Sequence, residues 1–284
     1  MSKFRFESVS SVIAVGSCKG GVGKTTVSVN LAMAFRRNGL SVGLFDADLY
    51  GPNVPLMLGI RRKEARYPMS MSRETGKQSL SFIPLYRKDQ APYIEPVRRF
   101  GLQAMSLGFW FGETEGSKDP SSLGGHLVGQ VLRDIRWSEV DILIIDLPPG
   151  TGQLLQMLLE SIHIDGIVIV TTPQEMSLLD TGRSVEFYRQ SGASILGRVE
   201  NMSYFMCPHC GKKTEVFENR TTEWEVFNDI PFLGSIPLDQ SLGRAIDANH
   251  PFTQLTPDSV AAHAVNEIAG RLRAVLPGKH KRQQ

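Results

Sequence analysis

The residues whose chemistry is easiest to read lie near the N-terminus, where positions 17–26 read Ser-Cys-Lys-Gly-Gly-Val-Gly-Lys-Thr-Thr. Glycines let main-chain N–H groups approach an anion closely, because they carry no Cβ. Lys24 then supplies a positive charge for the β- and γ-phosphates, and the Thr25 hydroxyl is an oxygen ligand of the kind that Mg²⁺ prefers. We therefore predict a loop that binds a nucleoside triphosphate with Mg²⁺. The predicted nucleotide-binding residues of this loop are Gly20, Gly21, Val22, Gly23, Lys24, Thr25 and Thr26.

Three aspartates at the ends of apolar stretches are the candidate Mg²⁺-binding and water-positioning groups. Asp46 and Asp48 lie two positions apart, so on an extended strand end both side chains point to the same side and can share one Mg²⁺. The alternative is a polar turn that ends a strand. Asp146 closes the apolar run at 142–145, which is the Walker B pattern of a buried parallel strand ending in a carboxylate, and can hold Mg²⁺ through a bound water.

A pair of cysteines points to metal binding. Cys207 and Cys210 are separated by two residues and followed by Gly211, a spacing that lets both sulfurs reach one metal. One such pair is half of a four-ligand site, and the sequence offers no second pair. The other ligands then come from elsewhere in the chain or from a second copy, since a two-fold interface brings identical residues together. His209 is interpreted as a spacer.

Helices and strands must bring these side chains together, and the pattern of apolar residues predicts where those elements lie. A strand precedes the loop at 12–16, a helix at 25–38 ends before Gly39, and a strand at 40–45 delivers Asp46. We predict a single α/β domain over residues 1–284, with a mostly parallel sheet, helices on both faces and a P-loop. Further strands are predicted at 100–107, 141–146, 166–171 and 195–199, and further helices at 123–135, 176–190 and 259–275.

Composition narrows the functional classes. At 284 residues, 41% hydrophobic and 21% charged, the chain resembles an ordinary globular protein, and its net charge of +2 argues against nucleic acid as a partner. Its three cysteines do not form a disulfide framework at this length. No apolar run suits a membrane span or signal peptide, so we expect a cytoplasmic protein without a membrane partner. We expect a polar surface insertion at about 60–90 and a flexible basic tail at about 277–284.

The loop at 19–26 resembles the deviant Walker A loop of the MinD/ParA ATPases. The resemblance implies that ATP is the nucleotide, that the chain forms a homodimer on ATP, and that Lys19 reaches across the interface to the partner's nucleotide. Cys18 stands where the strict Walker A pattern has glycine. It is interpreted as a small residue that fills the turn, the alternative being an oxidation-prone thiol beside Lys19.

From about Val12 to Pro251 the chain resembles the Mrp/ApbC family of iron–sulfur carrier ATPases, in four motifs. After the loop come Asp-Ala-Asp-Leu-Tyr-Gly-Pro at 46–52, Leu-Pro-Pro-Gly-Thr-Gly at 147–152 and the block at 200–211 that contains the cysteines. Three segments depart from the family pattern. Gln153 replaces an aspartate, 118–125 lacks a Trp-Arg-Gly-Pro segment, and 217–223 lacks a glycine-rich stretch.

The resemblance implies roles for individual residues. Asp48 would orient the attacking water while Asp46 supports the metal, which makes Lys19, Lys24 and Asp48 the catalytic candidates. Asn201 would recognise adenine, although it also suits a plain turn. Pro237 and Asp239, in a segment at 232–239 that matches the family's last strand and loop, would line the base or ribose. The predicted metal ligands are Cys207 and Cys210 for the cluster, and Thr25, Asp46 and Asp146 for Mg²⁺.

The function implied is an ATP-hydrolysing carrier that receives a [4Fe–4S] cluster from a donor, holds it between two protomers and passes it to apo-proteins. A structural zinc between two chains is an alternative to the cluster, and zinc also replaces clusters during aerobic handling. A thiol oxidase would need a thioredoxin fold. Two other functions remain as alternatives: a ParA/MinD-like positioning ATPase with a structural zinc, and an ATP-driven electron donor.

Overall fold

The centre of the protein is a sheet of eight strands, seven of which run parallel. The computed structural model describes residues 3–49, 51–60, 69–71, 80–82, 93–110, 128–129, 131–217 and 225–276. In chain order the strands are β1 Val9–Gly16, β2 Val42–Asp46, β3 Met69–Met71, β4 Leu80–Phe82, β5 Val97–Arg99, β6 Leu102–Ser106, β7 Val140–Asp146, β8 Gly166–Thr171, β9 Ile195–Glu200, β10 Tyr204–Met206, β11 Lys213–Glu215 and β12 Phe232–Ser235. The order across the central sheet is β12-β9-β8-β1-β7-β2-β6-β5, with only β5 antiparallel to its neighbour.

Burial explains why the central strands are apolar without alternation. Strands β2, β6 and β8 are buried at every position, as expected for parallel strands covered by helices on their faces. In the register of β2 against β7, Asp46 lies directly opposite Asp146. The two carboxylates predicted to serve Mg²⁺ are therefore neighbours in space, although 100 positions separate them in the sequence.

Helices flank the sheet. They are α1 Lys24–Arg37, α2 Val54–Met57, α3 Gln153–Ser161, α4 Glu175–Gln190, α5 Gln240–Asp247, α6 Phe252–Leu255 and α7 Val260–Val275. Helix α1 packs on α7, whose buried positions include Ala261, Val265, Ile268 and Leu272. This spacing of three to four residues forms one apolar stripe. The Ser259 hydroxyl begins α7 by accepting a hydrogen bond from Ala262 N at 3.1 Å.

The predicted α/β fold is confirmed, and the differences from the predicted elements have local causes. The strand predicted at 100–107 begins at Leu102, because Phe100 and Gly101 have φ values of +50° and +74° and form the turn between β5 and β6. Of the helix predicted at 123–135, residues 128–129 and 131–134 are helical, and the others before residue 131 lie outside the described residues. Within the predicted insertion at 60–90, β3 and β4 pair as a separate ribbon.

Several predicted segments fall outside the described residues: the rest of the insertion, positions 118–125, most of 217–223 and the tail at 277–284. Among the described helices, none has the length and apolarity needed to cross a membrane. The carboxyl ends of β1, β2, β7 and β9 meet at one edge of the sheet, where α/β proteins bind their ligands.

Candidate functional site

The phosphate-binding loop lies between the end of β1 and the first turn of α1. Gly21 and Gly23 have φ values of +85° and +83°, a region that side chains with a Cβ rarely adopt. A Cβ at Gly20 or Gly21 would meet no atom within 4 Å, so open space adjoins the loop at both positions. The first turn of α1 carries no acidic residue. The loop and helix N-terminus thus fit the phosphates of a nucleotide.

A buried charge cluster lies at the base of this loop. The Lys24 ammonium is 2.8 Å from Asp146 Oδ2, and the Thr25 hydroxyl donates to the same oxygen at 2.7 Å. The other oxygen, Asp146 Oδ1, lies 2.6 Å from the Ser28 hydroxyl. The structure therefore brings the predicted lysine, threonine and aspartate together, and the threonine and aspartate oxygens are hard ligands that fit Mg²⁺.

Ser28 is a site residue that the sequence reasoning missed. Its side chain is fully buried and contacts the carboxylate that the Walker B pattern singles out. The available signal was its position four residues after Lys24, which places both on the same face of α1. Without the partner strand, however, a serine in a helix has no distinguishing pattern.

Asp46 and Asp48 connect this cluster to the segment after β2. Asp46 is fully buried and accepts hydrogen bonds from Asp48 N at 3.1 Å, Val54 N at 3.2 Å and the Ser106 hydroxyl at 3.0 Å. Burial, and then repulsion from Asp146, raises the pKa of Asp46 well above its usual range, while Lys24 counters the shift. Asp46 therefore holds residues 48–54 in place, and its predicted role as an Mg²⁺ ligand stays a prediction.

The carboxylate of Asp48 lies beside the ammonium group of Lys24 in this cluster. Its Oδ2 is 3.9 Å from the Lys24 ammonium, and its Oδ1 accepts a hydrogen bond from Gly51 N at 3.1 Å. Its side chain is buried, with 9% of its surface exposed. The proximity to Lys24 fits the role predicted for Asp48, which stays a prediction.

The segment after β7 is tied to the loop by main-chain hydrogen bonds. Leu147 N donates to Val15 O and Gly150 N to Ser17 O, each at 3.0 Å. Gln153 begins α3 and is exposed, as is Lys19 in the loop. Both side chains are therefore accessible to a neighbouring molecule. Cys18 is a partly buried free thiol, and both interpretations of it stay open.

Asn201 begins the turn after β9 and contacts the loop directly. Its amide Nδ2 donates to Val22 O at 2.8 Å, and a Cβ on Gly23 would lie 2.2 Å from the same nitrogen. Asn201 is thus more than a plain turn residue, because its side chain is hydrogen-bonded to the backbone of the nucleotide loop. Pro237 is buried. Asp239, two positions further, caps α5, because its Oδ1 accepts a hydrogen bond from Ser241 N at 2.8 Å. Their predicted contacts with the base or ribose stay predictions.

The two cysteines lie at the tip of a hairpin formed by β10 and β11, with Met206 opposite Lys213 in its register. Cys207 N donates to Lys212 O at 3.0 Å, and Gly211 N donates to Cys207 O at 2.9 Å. Main-chain N–H groups of Cys210 and His209 point at the Cys207 sulfur and lower the pKa of this thiol. Cys210 is exposed.

This turn fits half of a metal site. Donation from main-chain N–H groups to a cysteine sulfur stabilises the thiolate, which is the form that binds a metal. Within the described part of the chain, no three His, Cys, Asp or Glu side chains are grouped to hold a metal ion. Two further ligands are thus needed to complete a four-ligand site at the cysteine pair.

Comparison with known proteins gives matches along nearly the whole chain. Residues 8–273 match a family model described as ParA: NUBPL iron-transfer P-loop NTPase. The iron–sulfur cluster carrier protein of Pyrococcus abyssi is 38% identical over 261 residues, which cover 92% of this chain and 84% of the relative. The cytosolic Fe-S cluster assembly factor Nubp2 homolog of Drosophila melanogaster is 36% identical over 278 residues, covering 95% of this chain and 98% of the relative.

A solved structure agrees with these sequence matches. The nucleotide-binding protein of Archaeoglobus fulgidus, solved in complex with ADP and with Co, superposes with a TM-score of 0.67 at 32% sequence identity. The similarity covers 87% of this chain and 90% of that protein.

Proposed function

The chain belongs to the ParA family of NUBPL-type iron-transfer P-loop NTPases, and from this premise we propose that it is an ATP-hydrolysing iron–sulfur carrier. Two protomers hold one [4Fe–4S] cluster, which arrives from a donor and leaves to apo-proteins. The observation that carries the proposal is the hairpin. It presents a thiol pair with a lowered Cys207 pKa at the protein surface, directly after the turn that supports the nucleotide loop.

The nucleotide site contains the groups that phosphoryl transfer needs. Lys24 and the amides of the glycine loop bind the phosphates, while Thr25 and Asp146 hold Mg²⁺, which neutralises charge on the β- and γ-phosphates. Asp48 orients the attacking water, and Asp46 keeps Asp48 in position through its bond to Asp48 N at 3.1 Å. Asn201, Pro237 and Asp239 line the side where the base and ribose bind.

Two features support a homodimer. The cysteine pair supplies two of four ligands, and a second copy related by a two-fold axis supplies the other two. The hairpin that carries the pair also exposes apolar side chains, with Phe205 at 38% and Val216 at 39% exposure. Phe205 lies opposite Thr214, so Val216, two positions further, is on the same face of the hairpin. A partner hairpin would cover this face.

The same dimer assigns a role to Lys19. Its side chain is exposed, and in the dimer it reaches the nucleotide bound by the partner. We place the protein in the cytoplasm, because its Drosophila relative is named a cytosolic assembly factor. Zinc bound to the same thiolates would be an aerobic substitute for the cluster.

The deciding experiment is anaerobic reconstitution with iron and sulfide, followed by an absorption spectrum and an iron determination. The matched control is the double variant Cys207→Ser, Cys210→Ser. We expect a broad visible charge-transfer band and about four irons per dimer, as a [4Fe–4S] cluster requires, both lost in the control. Colourless protein that binds only zinc would refute the carrier and favour a positioning ATPase with a structural metal.

Cluster delivery has its own test. Transfer of the reconstituted cluster to an apo-ferredoxin is followed without nucleotide, with Mg·ADP and with Mg·ATP, for the native protein and for Lys24→Ala. We expect the transfer rate to depend on the nucleotide in the native protein alone. Equal rates in all of these samples would contradict coupling between hydrolysis and delivery.

A further inference from the structure

One short segment joins the nucleotide loop to the metal-binding turn. At its start, Asn201 Nδ2 donates to Val22 O in the loop at 2.8 Å. At its end, β10 leads directly into Cys207. The segment between them reads Met-Ser-Tyr-Phe-Met and contains no glycine. The path is therefore short and lacks the residue type with the greatest backbone freedom.

Main-chain hydrogen bonds hold this segment along its length. Asn201 N donates to Thr171 O at 2.8 Å, and Ser203 N donates to Ile236 O at 3.1 Å. Further along, Leu238 N donates to Tyr204 O at 2.7 Å. The segment is therefore anchored to β8 at its start and to the segment after β12 near the hairpin.

The turn itself has a restricted backbone. Met202 has a φ of +55°, the left-handed region that residues with a Cβ seldom adopt. A residue held there keeps its conformation only while its surroundings determine it. The hydrogen bond from Asn201, the residue before Met202, to Val22 O in the loop is one of those surroundings.

Asn201 has the chemistry to respond to a bound nucleotide. An asparagine amide offers two N–H donors and one carbonyl acceptor. One donor is used by Val22 O. The other donor and the carbonyl match the N7 acceptor and the N6 donor of adenine, the pairing that asparagine makes with this base elsewhere. One side chain can therefore contact the loop and the base together.

We propose that Asn201 is the positioning residue through which nucleotide binding changes the metal affinity of Cys207 and Cys210. The proposal rests on the proposed function, since it takes the thiol pair as the metal site. Nucleotide binding shifts the loop and the Asn201 amide, and the segment 202–206 passes that shift to the hairpin. By linkage, the metal must change nucleotide affinity by the same factor.

The test measures this coupling with Co²⁺, whose thiolate charge-transfer absorption reports binding to the cysteines. Full-length protein is titrated anaerobically without nucleotide, with saturating Mg·ADP and with saturating Mg·AMPPNP. Calorimetry confirms saturation for each variant. We expect the native Co²⁺ affinity to change about tenfold between nucleotide states, within the usual range of coupling between sites. Asn201→Ala should reduce this ratio to about one, with Co²⁺ affinity in the absence of nucleotide kept within about twofold.

A second pair of variants breaks the path away from the loop. Leu238→Pro removes the N–H that bonds Tyr204 O, whereas Leu238→Ala keeps it, and both lose the same 44% exposed side chain. We expect Leu238→Pro to lose the coupling and Leu238→Ala to retain it. If Asn201→Ala fails to fold, this pair decides the matter by itself.

The outcomes separate this inference from the carrier proposal. A native protein whose Co²⁺ affinity is the same in all nucleotide states overturns the inference, as does full coupling in Asn201→Ala or in Leu238→Pro. None of these results affects the reconstitution of a cluster on the cysteines. Conversely, absence of a cluster in the reconstituted protein would overturn the carrier while the Co²⁺ coupling still stood.

Discussion

Two buried serines allow a matched test of the hydrogen bond between Ser28 and Asp146, with Ser184 as the control. Ser28 and Ser184 are both fully buried, and both lie inside helices, in α1 and α4. The Ser28 hydroxyl lies 2.6 Å from the Asp146 carboxylate. Among the described residues, the Ser184 hydroxyl has no hydrogen-bond partner. The same substitution to alanine should therefore change stability in opposite directions.

The magnitudes follow from these contacts. Ser28→Ala loses a hydrogen bond to a charged acceptor, about 1.5–3 kcal/mol, offset by about 0.5 kcal/mol of helix propensity. The free energy of unfolding should fall by about 1–2.5 kcal/mol. Ser184→Ala gains the same propensity and removes an unsatisfied buried hydroxyl, so it should raise the free energy of unfolding by about 1 kcal/mol. Because the propensity gain is common to both, the difference between the variants reports the hydrogen bonds.

The assay is urea denaturation of both variants in parallel, with Mg·ATP hydrolysis as a second measurement. We expect a gap of about 2–3.5 kcal/mol between the two variants, and a KM for Mg·ATP that rises several-fold only in Ser28→Ala, because Asp146 loses one of its fixed contacts. Equal stability of the two variants would refute the reasoning. A loss of stability in Ser184→Ala would show that its hydroxyl has a partner.

The Cys207 thiol, the Tyr188 hydroxyl and the Lys19 side chain can each be tested by substitution. Main-chain N–H groups lower the pKa of the Cys207 thiol, so in metal-free Cys210→Ser protein Cys207 should react with iodoacetamide at lower pH than Cys210 does in Cys207→Ser protein. Labelling of Cys207 that begins only at the ordinary thiol pKa would contradict this. Tyr188→Phe removes another buried hydroxyl without a described partner and should raise the melting temperature by a few degrees, whereas a decrease would reveal a missing partner. Lys19→Ala should bind Mg·ATP like the native protein yet fail to dimerise on it, as measured by light scattering; an unchanged ATP-dependent dimer would refute the predicted contact.

Much of the candidate site could be predicted from local sequence. The glycine loop follows an apolar strand, the Walker B aspartate closes another, and the cysteine spacing is a metal-ligand spacing, so each motif carries its own signal. The predicted fold follows from the same alternation of apolar strands and helices. The exact ends of elements were less predictable, since Phe100 and Gly101 turn the chain by backbone conformations that composition does not reveal.

The order of amino acids therefore shows which residues can do chemistry and which element carries each of them. Which of these residues meet depends on how the elements pack. Ser28 reaches Asp146 across 118 positions, and Asn201 reaches Val22 across 179. Such contacts depend on strand order and register in the sheet, where a shift of one residue would turn a side chain to the opposite face. For this reason the link between the nucleotide loop and the cysteine hairpin could be found only in the folded protein.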